Sequence, residues 1–303
     1  MTLIVLVREE PNAPVELLYE VDGIRVVSYA GAEKLPEEAA EAEALVVGSG
    51  HIDEQVAVMR QLPKLRLVQT LSAGVEQWEG RLPGGVQLSN ARGAHGGATA
   101  EWAITALLAV YREIPGFAES QQAGSWNQHV TDTLDGKRLL VLGAGDLAVE
   151  FRRRAEPFGA TVEVVARRAR AGVHGMDELA ELLPEADAVV VMLPLTDHTR
   201  GMIDSENLAR MADGTVLVNA GRGPLVDTDA LLAELRSGRL RAALDVTDPE
   251  PLPEGHPLWS APGLLLTPHV AGSTFGFERR AWTVAAAQLA QLAADEEPVN
   301  LQR

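Results

Sequence analysis

The 303-residue chain has no cysteine, so it can form no disulfide, no thiolate zinc site and no cysteine nucleophile. Basic residues are also scarce, with 26 Lys and Arg against 43 Asp and Glu and a formal charge of −17. That balance repels nucleic acid and anionic membrane surfaces at long range, and no nucleic-acid partner is expected. No apolar run approaches the ~20 residues that cross a bilayer. The longest helical one, Ala98 to Val110, is broken by Glu101 and followed by Arg112 and Glu113. The N-terminal run Leu3–Val7 is too short for the core of a secretory signal and no basic stretch precedes it. It is expected to be a first strand, and the protein to be cytoplasmic with no membrane partner. The histidines show no metal-ligand spacing, so no metal is expected.

What is present is ordinary for a globular protein: 46% hydrophobic and 23% charged residues exclude a disordered chain. At roughly 150 residues per domain, the length implies two domains, each able to bury a core. Short β-branched runs recur at Leu3–Val7, Ile24–Tyr29, Ala44–Val47, Leu65–Leu71 and Val86–Leu88, separated by Pro, Gly and acidic helix-forming segments. A second series follows at Arg138–Leu142, Thr161–Val165, Ala188–Met192, Thr215–Asn219, Ala242–Asp245 and Leu264–Thr267. The runs are apolar without strict alternation, which suits parallel strands covered on both faces by helices. An α/β protein with two doubly wound parallel-sheet domains is therefore expected. A helical pattern over Ala98–Glu113, stopped by Pro115, links the two series, and a last helix covers about Phe277 to Ala294.

The second series opens on a recognisable turn. Leu139–Leu142 runs into Gly143-Ala-Gly145-Asp-Leu-Ala148, then an Arg-rich helical segment, then Gly159 and another strand. In G-x-G-x-x-A, Gly143 permits the tight turn, Gly145 lets backbone approach a pyrophosphate, and Ala148 is small enough for helix-to-strand packing. Gly143, Gly145, Asp146 and Leu147 are thus candidate cofactor contacts, although the Asp146 carboxylate stands where the pyrophosphate would be and its more ordinary role is to cap the helix. An acid that would hold the ribose 2′-hydroxyl of NAD is expected about 20 residues on. That place holds Ala166, followed by Arg167, Arg168 and Arg170, whose guanidinium groups suit a 2′-phosphate. NADP is expected, with NAD possible.

Four further segments follow in order: Ser72-Ala-Gly-Val-Glu76, Asn219-Ala-Gly-Arg222-Gly-Pro-Leu-Val-Asp227, Leu244-Asp245-Val-Thr-Asp-Pro-Glu250-Pro-Leu252 and Thr267-Pro-His269-Val-Ala-Gly272. With the dinucleotide turn, they make the whole chain resemble the D-isomer-specific 2-hydroxyacid dehydrogenases, and within them glyoxylate/hydroxypyruvate reductases. The resemblance implies a flavodoxin-like substrate domain from residues 1–94 plus 275–303 and an inserted Rossmann dinucleotide-binding domain from 95–274. It also implies a homodimer, with Ala98–Glu113 as its interface element.

Residue by residue, the resemblance makes His269 the general acid, Glu250 its carboxylate partner and Arg222 the cation that binds the substrate carboxylate. Reducing a 2-keto acid needs such a set: a hydride donor, a proton for the carbonyl oxygen and fixed donors for the carboxylate. Ser72, Ala73, Gly74 and Val75 would bind substrate, largely through backbone N–H groups. Asp245 falls where the family accepts a hydrogen bond from the nicotinamide carboxamide. Thr99, Leu193, Pro194, Ala220 and Gly272 match further cofactor positions. Trp78 and Trp282 join Ser72 and Ala73 as candidates for substrate choice, and Trp126 resembles a family tryptophan that packs. Thr247 and Asp248 replace a usual aromatic and glutamate, which is expected to alter the wall near the substrate.

The resemblance leaves three other activities to weigh. Phosphite enzymes of this fold carry a lysine where Ala73 stands, and formate enzymes a glutamine where Glu250 stands. A dinucleotide-sensing corepressor could keep every site residue, and only turnover separates it from a reductase.

Overall fold

The computed structural model describes residues 2–48 and 50–302. Among them the elements run, in chain order, β1 (Leu3–Arg8), α1 (Glu16–Tyr19), β2 (Ile24–Tyr29), β3 (Ala44–Val47), α2 (Ile52–Met59), β4 (Leu67–Thr70), β5 (Gln87–Ser89), α3 (Gly96–Tyr111), α4 (Ile114–Gln122), β6 (Arg138–Leu142), α5 (Asp146–Ala155), β7 (Thr161–Ala166), β8 (His174–Gly175), α6 (Leu179–Leu182), β9 (Ala188–Val191), α7 (Ser205–Arg210), β10 (Val216–Asn219), α8 (Thr228–Ser237), β11 (Arg241–Leu244), β12 (Leu264–Leu266) and α9 (Phe277–Ala293). They form two compact units. One runs to His95 and resumes at Phe275, and the other is Gly96–Thr274.

The first unit is a parallel sheet in the order β2-β1-β3-β4-β5, the flavodoxin-like arrangement. Side chains alternate across it with the two-residue period of a strand. Leu6, Leu45, Val47 and Val68 join Val56, Val58 and Met59 of α2 in one core. Leu3, Val5, Val7, Ala44, Val46 and Leu67 join Trp282, Ala286, Leu289 and Leu292 of α9 in the other. The last helix therefore covers this second face together with Leu18 of α1. Trp78 and Trp282, expected near substrate, are instead core residues at 0% and 4% exposure. Large aromatics bury more apolar area than any other side chain, and these fill the layers on opposite faces of the sheet.

The second unit is a parallel sheet in the order β12-β11-β10-β9-β6-β7-β8. Counted from its own first strand, that is the Rossmann order 3-2-1-4-5-6 with one more strand beyond. Helices α3 and α5 cover one face with Ala103, Leu107 and Phe151. The other face is covered by Leu179 of α6, Leu208 of α7 and Leu231, Leu232 and Leu235 of α8. No helix is long and apolar enough to cross a membrane among the described residues.

Two elements differ from expectation. Pro115 does not stop helical structure: Glu113 turns the chain at φ 50°, and Pro115 then sits in the first turn of α4, where its missing N–H costs nothing. α4 has no buried residue, and the segment after it exposes Trp126 and Val130 by 92% and 95%. Helix α3 turns Ala100, Ala103, Ile104, Leu107 and Val110 into its own unit's core. β8 has two residues, too few to leave a periodic trace.

Truncating Trp282 removes the largest side chain by which α9 holds its sheet. Trp282→Ala should lower unfolding free energy by about 3–5 kcal/mol, measured by urea denaturation.

Candidate active site

Because every strand pairing in the second sheet is parallel, the loops after β6, β9, β10, β11 and β12 all leave from one edge. The order reverses between β6 and β9, and ligands of open α/β sheets bind outside the carboxyl ends of strands at such a switch point.

The loop after β6 is the glycine turn. Gly143 has φ 118°, and a Cβ on it would lie 2.6 Å from the Met192 carbonyl oxygen. Only glycine fits this close approach. Gly145 caps α5, is exposed, and would meet nothing within 4 Å. A tight floor and open space above a helix N-terminus fit a dinucleotide pyrophosphate. Asp146 is the misfit. It is the first helical residue and not the cap, which is Gly145, and no side-chain cap bond forms. Its carboxylate lies against the start of α3, where a Cβ on Gly96 would come within 2.5 Å of Oδ2. Leu147 follows in the same first turn, and Thr99, 7% exposed, lies in the first turn of α3.

β7 ends on Ala166, and Arg167 and Arg168 beyond it are exposed. Arg170 is the arginine that reaches back to the glycine turn, its Nη2 lying 3.5 Å from the Ala144 carbonyl oxygen. Leu193 and Pro194 follow β9; the Leu193 carbonyl oxygen lies 2.9 Å from where a Cβ on Gly221 would be, which brings the loops after β9 and β10 together.

Beyond β10, buried Asn219 shapes the next turn: its Oδ1 accepts from the Gly221 N–H at 3.0 Å and its Nδ2 donates to the Arg222 carbonyl at 2.9 Å. Ala220 is buried within this turn and Arg222 is half-buried at its end. Gly223 is pressed against the loop after β11, and a Cβ there would fall 1.9 Å from the Thr247 carbonyl oxygen. Thr247, expected to face substrate, is 8% exposed and donates its hydroxyl to the Pro249 carbonyl at 2.8 Å. It shapes the loop that carries Glu250. Asp248 accepts at its carbonyl from Thr228 Oγ1 at 2.9 Å.

Asp245 and His269 stand at the ends of β11 and β12. The Asp245 carboxylate, 3% exposed, accepts from Thr267 Oγ1 (2.6 Å), Val270 N (2.9 Å) and Ala271 N (2.9 Å). One acceptor position on Oδ2 therefore stays open for a further donor. His269 sits in this turn at φ 53° and donates its backbone N–H to the Asp245 carbonyl at 2.7 Å. Its Nδ1 lies 2.6 Å from Glu250 Oε1, with both side chains partly exposed. Gly272 closes the turn and accepts from Thr274 N at 3.1 Å. Among the described residues no cluster could hold a metal ion.

In the first unit, Ser72–Val75 follow β4. The Ser72 carbonyl accepts from Thr70 Oγ1 and Ala91 N, the Ala73 carbonyl from Asn90 Nδ2, and the Gly74 carbonyl from Ser72 Oγ, each at 2.7 to 2.9 Å. With three successive carbonyls tied back, the loop has donors to offer, and the backbone N–H groups of Ala73, Gly74 and Val75 make no hydrogen bond among the described residues. Successive backbone N–H groups left without partners are the kind of donors that serve an anion. Asn90 was not singled out from sequence; its signal was an amide side chain directly after a strand.

A sequence model of the NAD-binding domain of D-isomer specific 2-hydroxyacid dehydrogenases matches residues 104–271. The chain belongs to this family. It is 34% identical, over 77% of its length and 76% of the relative's, to glyoxylate/hydroxypyruvate reductase B of Serratia proteamaculans (strain 568). It is 31% identical over 95% of its length to D-3-phosphoglycerate dehydrogenase of Methanocaldococcus jannaschii, of which it spans 56%. A D-isomer specific 2-hydroxyacid dehydrogenase from Xanthobacter autotrophicus Py2, solved with NADPH and MES, superposes with a TM-score of 0.84 at 31% identity, covering 99% of this chain and 98% of that one. A D-isomer specific 2-hydroxyacid dehydrogenase is an NAD(P)-dependent oxidoreductase of small hydroxy acids.

The seam between Gly223 and Thr247 joins the loops of Arg222 and Glu250, so one added methyl group should misplace both. Gly223→Ala is expected to cut turnover about a hundredfold while leaving far-ultraviolet circular dichroism unchanged.

Proposed function

We propose that this dehydrogenase is an NADP-preferring 2-ketoacid reductase acting on a small substrate such as glyoxylate, hydroxypyruvate or a short 2-keto acid. The observation that carries the reading is the 2.6 Å contact of His269 Nδ1 with Glu250 Oε1. An ionised carboxylate can only accept, so Nδ1 carries the proton in this pair and Nε2 is left to serve the substrate. Bound reduced nicotinamide supplies the hydride to the carbonyl carbon. His269 gives the proton on Nε2 to the carbonyl oxygen, and in the reverse direction neutral His269 takes it back. Arg222 pairs with the substrate carboxylate and polarises the carbonyl. The N–H groups of Ala73, Gly74 and Val75 bind the remaining carboxylate oxygens. The dinucleotide is assigned to the turn 143–147, with Thr99, Leu193, Pro194, Ala220, Asp245 and Gly272 as further contacts.

Three observations support NADP over NAD. β7 ends on Ala166 with no acid for the ribose. Arg167, Arg168 and Arg170 are exposed and enter no ion pair among the described residues, so their charges are free for a 2′-phosphate. The Xanthobacter relative was solved with NADPH. Glu250 and Ala73 argue against formate and phosphite as substrates.

A homodimer is also proposed, formed through α3, as the resemblance implies, and through α4 and the segment after it. A second copy is the occupant that fits an exposed Trp126 and Val130 flanked by a helix with no buried residue, since isologous contacts cover such a face on both copies at once.

Absorbance at the reduced nicotinamide band, followed against a panel of 2-keto acids, should show faster oxidation of NADPH than of NADH. His269→Ala should lower that turnover by about a thousandfold. Turnover with NADH alone would overturn the coenzyme assignment, and dinucleotide binding without turnover of any keto acid would favour the corepressor type. For the dimer, Trp126→Asp combined with Val130→Asp should weaken self-association by about thirtyfold or more, read as a halved mass in light scattering at micromolar protein.

A further inference from the structure

His269 sits in a left-handed backbone conformation, at φ 53°, which costs a non-glycine residue about 1 kcal/mol or more. Something must hold the turn there. The N–H groups of Val270 and Ala271 both point into the Asp245 carboxylate, one on each oxygen, at 2.9 Å. The carboxylate is thus the core on which the turn is wound. A buried carboxylate must itself be fixed, and the third donor does this: Thr267 Oγ1 lies 2.6 Å from Asp245 Oδ1, the short separation of a charge-assisted O–H···O⁻ bond.

Thr267 is in turn set by the sheet. Its backbone N–H donates to the Leu244 carbonyl at 2.9 Å, extending the β11–β12 ladder one residue past the Leu244↔Leu266 pair. Pro268 follows and biases Thr267 towards an extended backbone. The hydroxyl therefore has one place to be, and a line of contacts runs from strand register through Thr267 and Asp245 to the turn that presents the imidazole to Glu250.

We infer that Thr267 is a positioning residue for proton transfer, donating its hydroxyl to the Asp245 carboxylate and thereby setting where the His269 imidazole stands relative to Glu250. This rests on the proposed role of His269, which the test separates from it. Valine keeps the shape of threonine and removes the donor. It leaves Oδ1 with the Val270 amide alone, and a buried carboxylate short of donors shifts to recover them.

The test compares T267V, T267S, H269A and the double variant T267V/H269A. T267V should lower kcat for keto-acid reduction by about ten- to a hundredfold. T267S, which restores the hydroxyl, should return kcat to within about threefold of the parent, and T267V should cause no further loss in the H269A background. Long-range proton–nitrogen spectra, with H269A identifying the His269 ring signals, should show those signals moved in T267V and unmoved in T267S. T267A replaces T267V should the valine variant not fold. Unmoved ring signals in T267V, losses that add in the double variant, or failure of T267S to restore kcat would each overturn the inference. If H269A itself keeps full turnover, the role of His269 falls, and the nitrogen spectra alone decide whether Thr267 positions the ring.

Discussion

A parallel strand cannot be followed by a hairpin, so each strand of the second sheet must be followed by a crossover that returns to the same starting edge. That constraint delivers the loops after β6, β7, β9, β10, β11 and β12 to one edge of the 96–274 unit, and nearly all the chemistry-bearing residues sit on them. Strand register then does the fine work. Asn219, Leu244 and Leu266 are paired across β10, β11 and β12, so Arg222 and His269 each stand three residues past a common line, and Glu250 six past it on the strand between. Short buried contacts convert that alignment into fixed positions: Asn219 inside its turn, Gly223 against Thr247, and Asp245 inside the turn of His269.

Much of this was legible in the sequence because parallel strands buried on both faces leave unbroken apolar runs, and eleven of the twelve strands, all but the two-residue β8, left runs that place them within a residue or two. The glycine turn was legible for a steric reason, since a residue with φ 118° beside a carbonyl must lack a Cβ. Other features left no such trace. Helix α4 was hidden behind Pro115, because proline both ends helices and begins them and the letter alone does not say which. Trp78 and Trp282 were placed near substrate although both are buried, since a tryptophan beside a functional loop has the same sequence signature whether it faces the ligand or the core. Asn90, Asn219 and Thr267 act through single hydrogen bonds to partners chosen by the fold. No periodicity encodes such pairs.

The family relationship fixes the chemistry more firmly than the substrate. A reductase of glyoxylate and hydroxypyruvate and a dehydrogenase of 3-phosphoglycerate are both relatives at more than 30% identity. What they share with this chain is a family of oxidoreductases that act on small hydroxy acids. Asp146 sets this chain apart from the usual dinucleotide turn, because a carboxylate at a helix N-terminus competes with the phosphate that the helix dipole would attract. The open space at Gly145 and the exposed arginines beyond β7 act in the opposite sense, favouring an anionic ligand.

The central claim is that the His269–Glu250 contact makes this a keto-acid reductase. Glu250→Gln tests it most directly, because glutamine keeps the shape of the side chain and removes its charge. Single-turnover oxidation of enzyme-bound NADPH by glyoxylate or hydroxypyruvate should slow by about a hundredfold in this variant, with dinucleotide affinity unchanged. A variant that turns over at the parent rate would contradict the account.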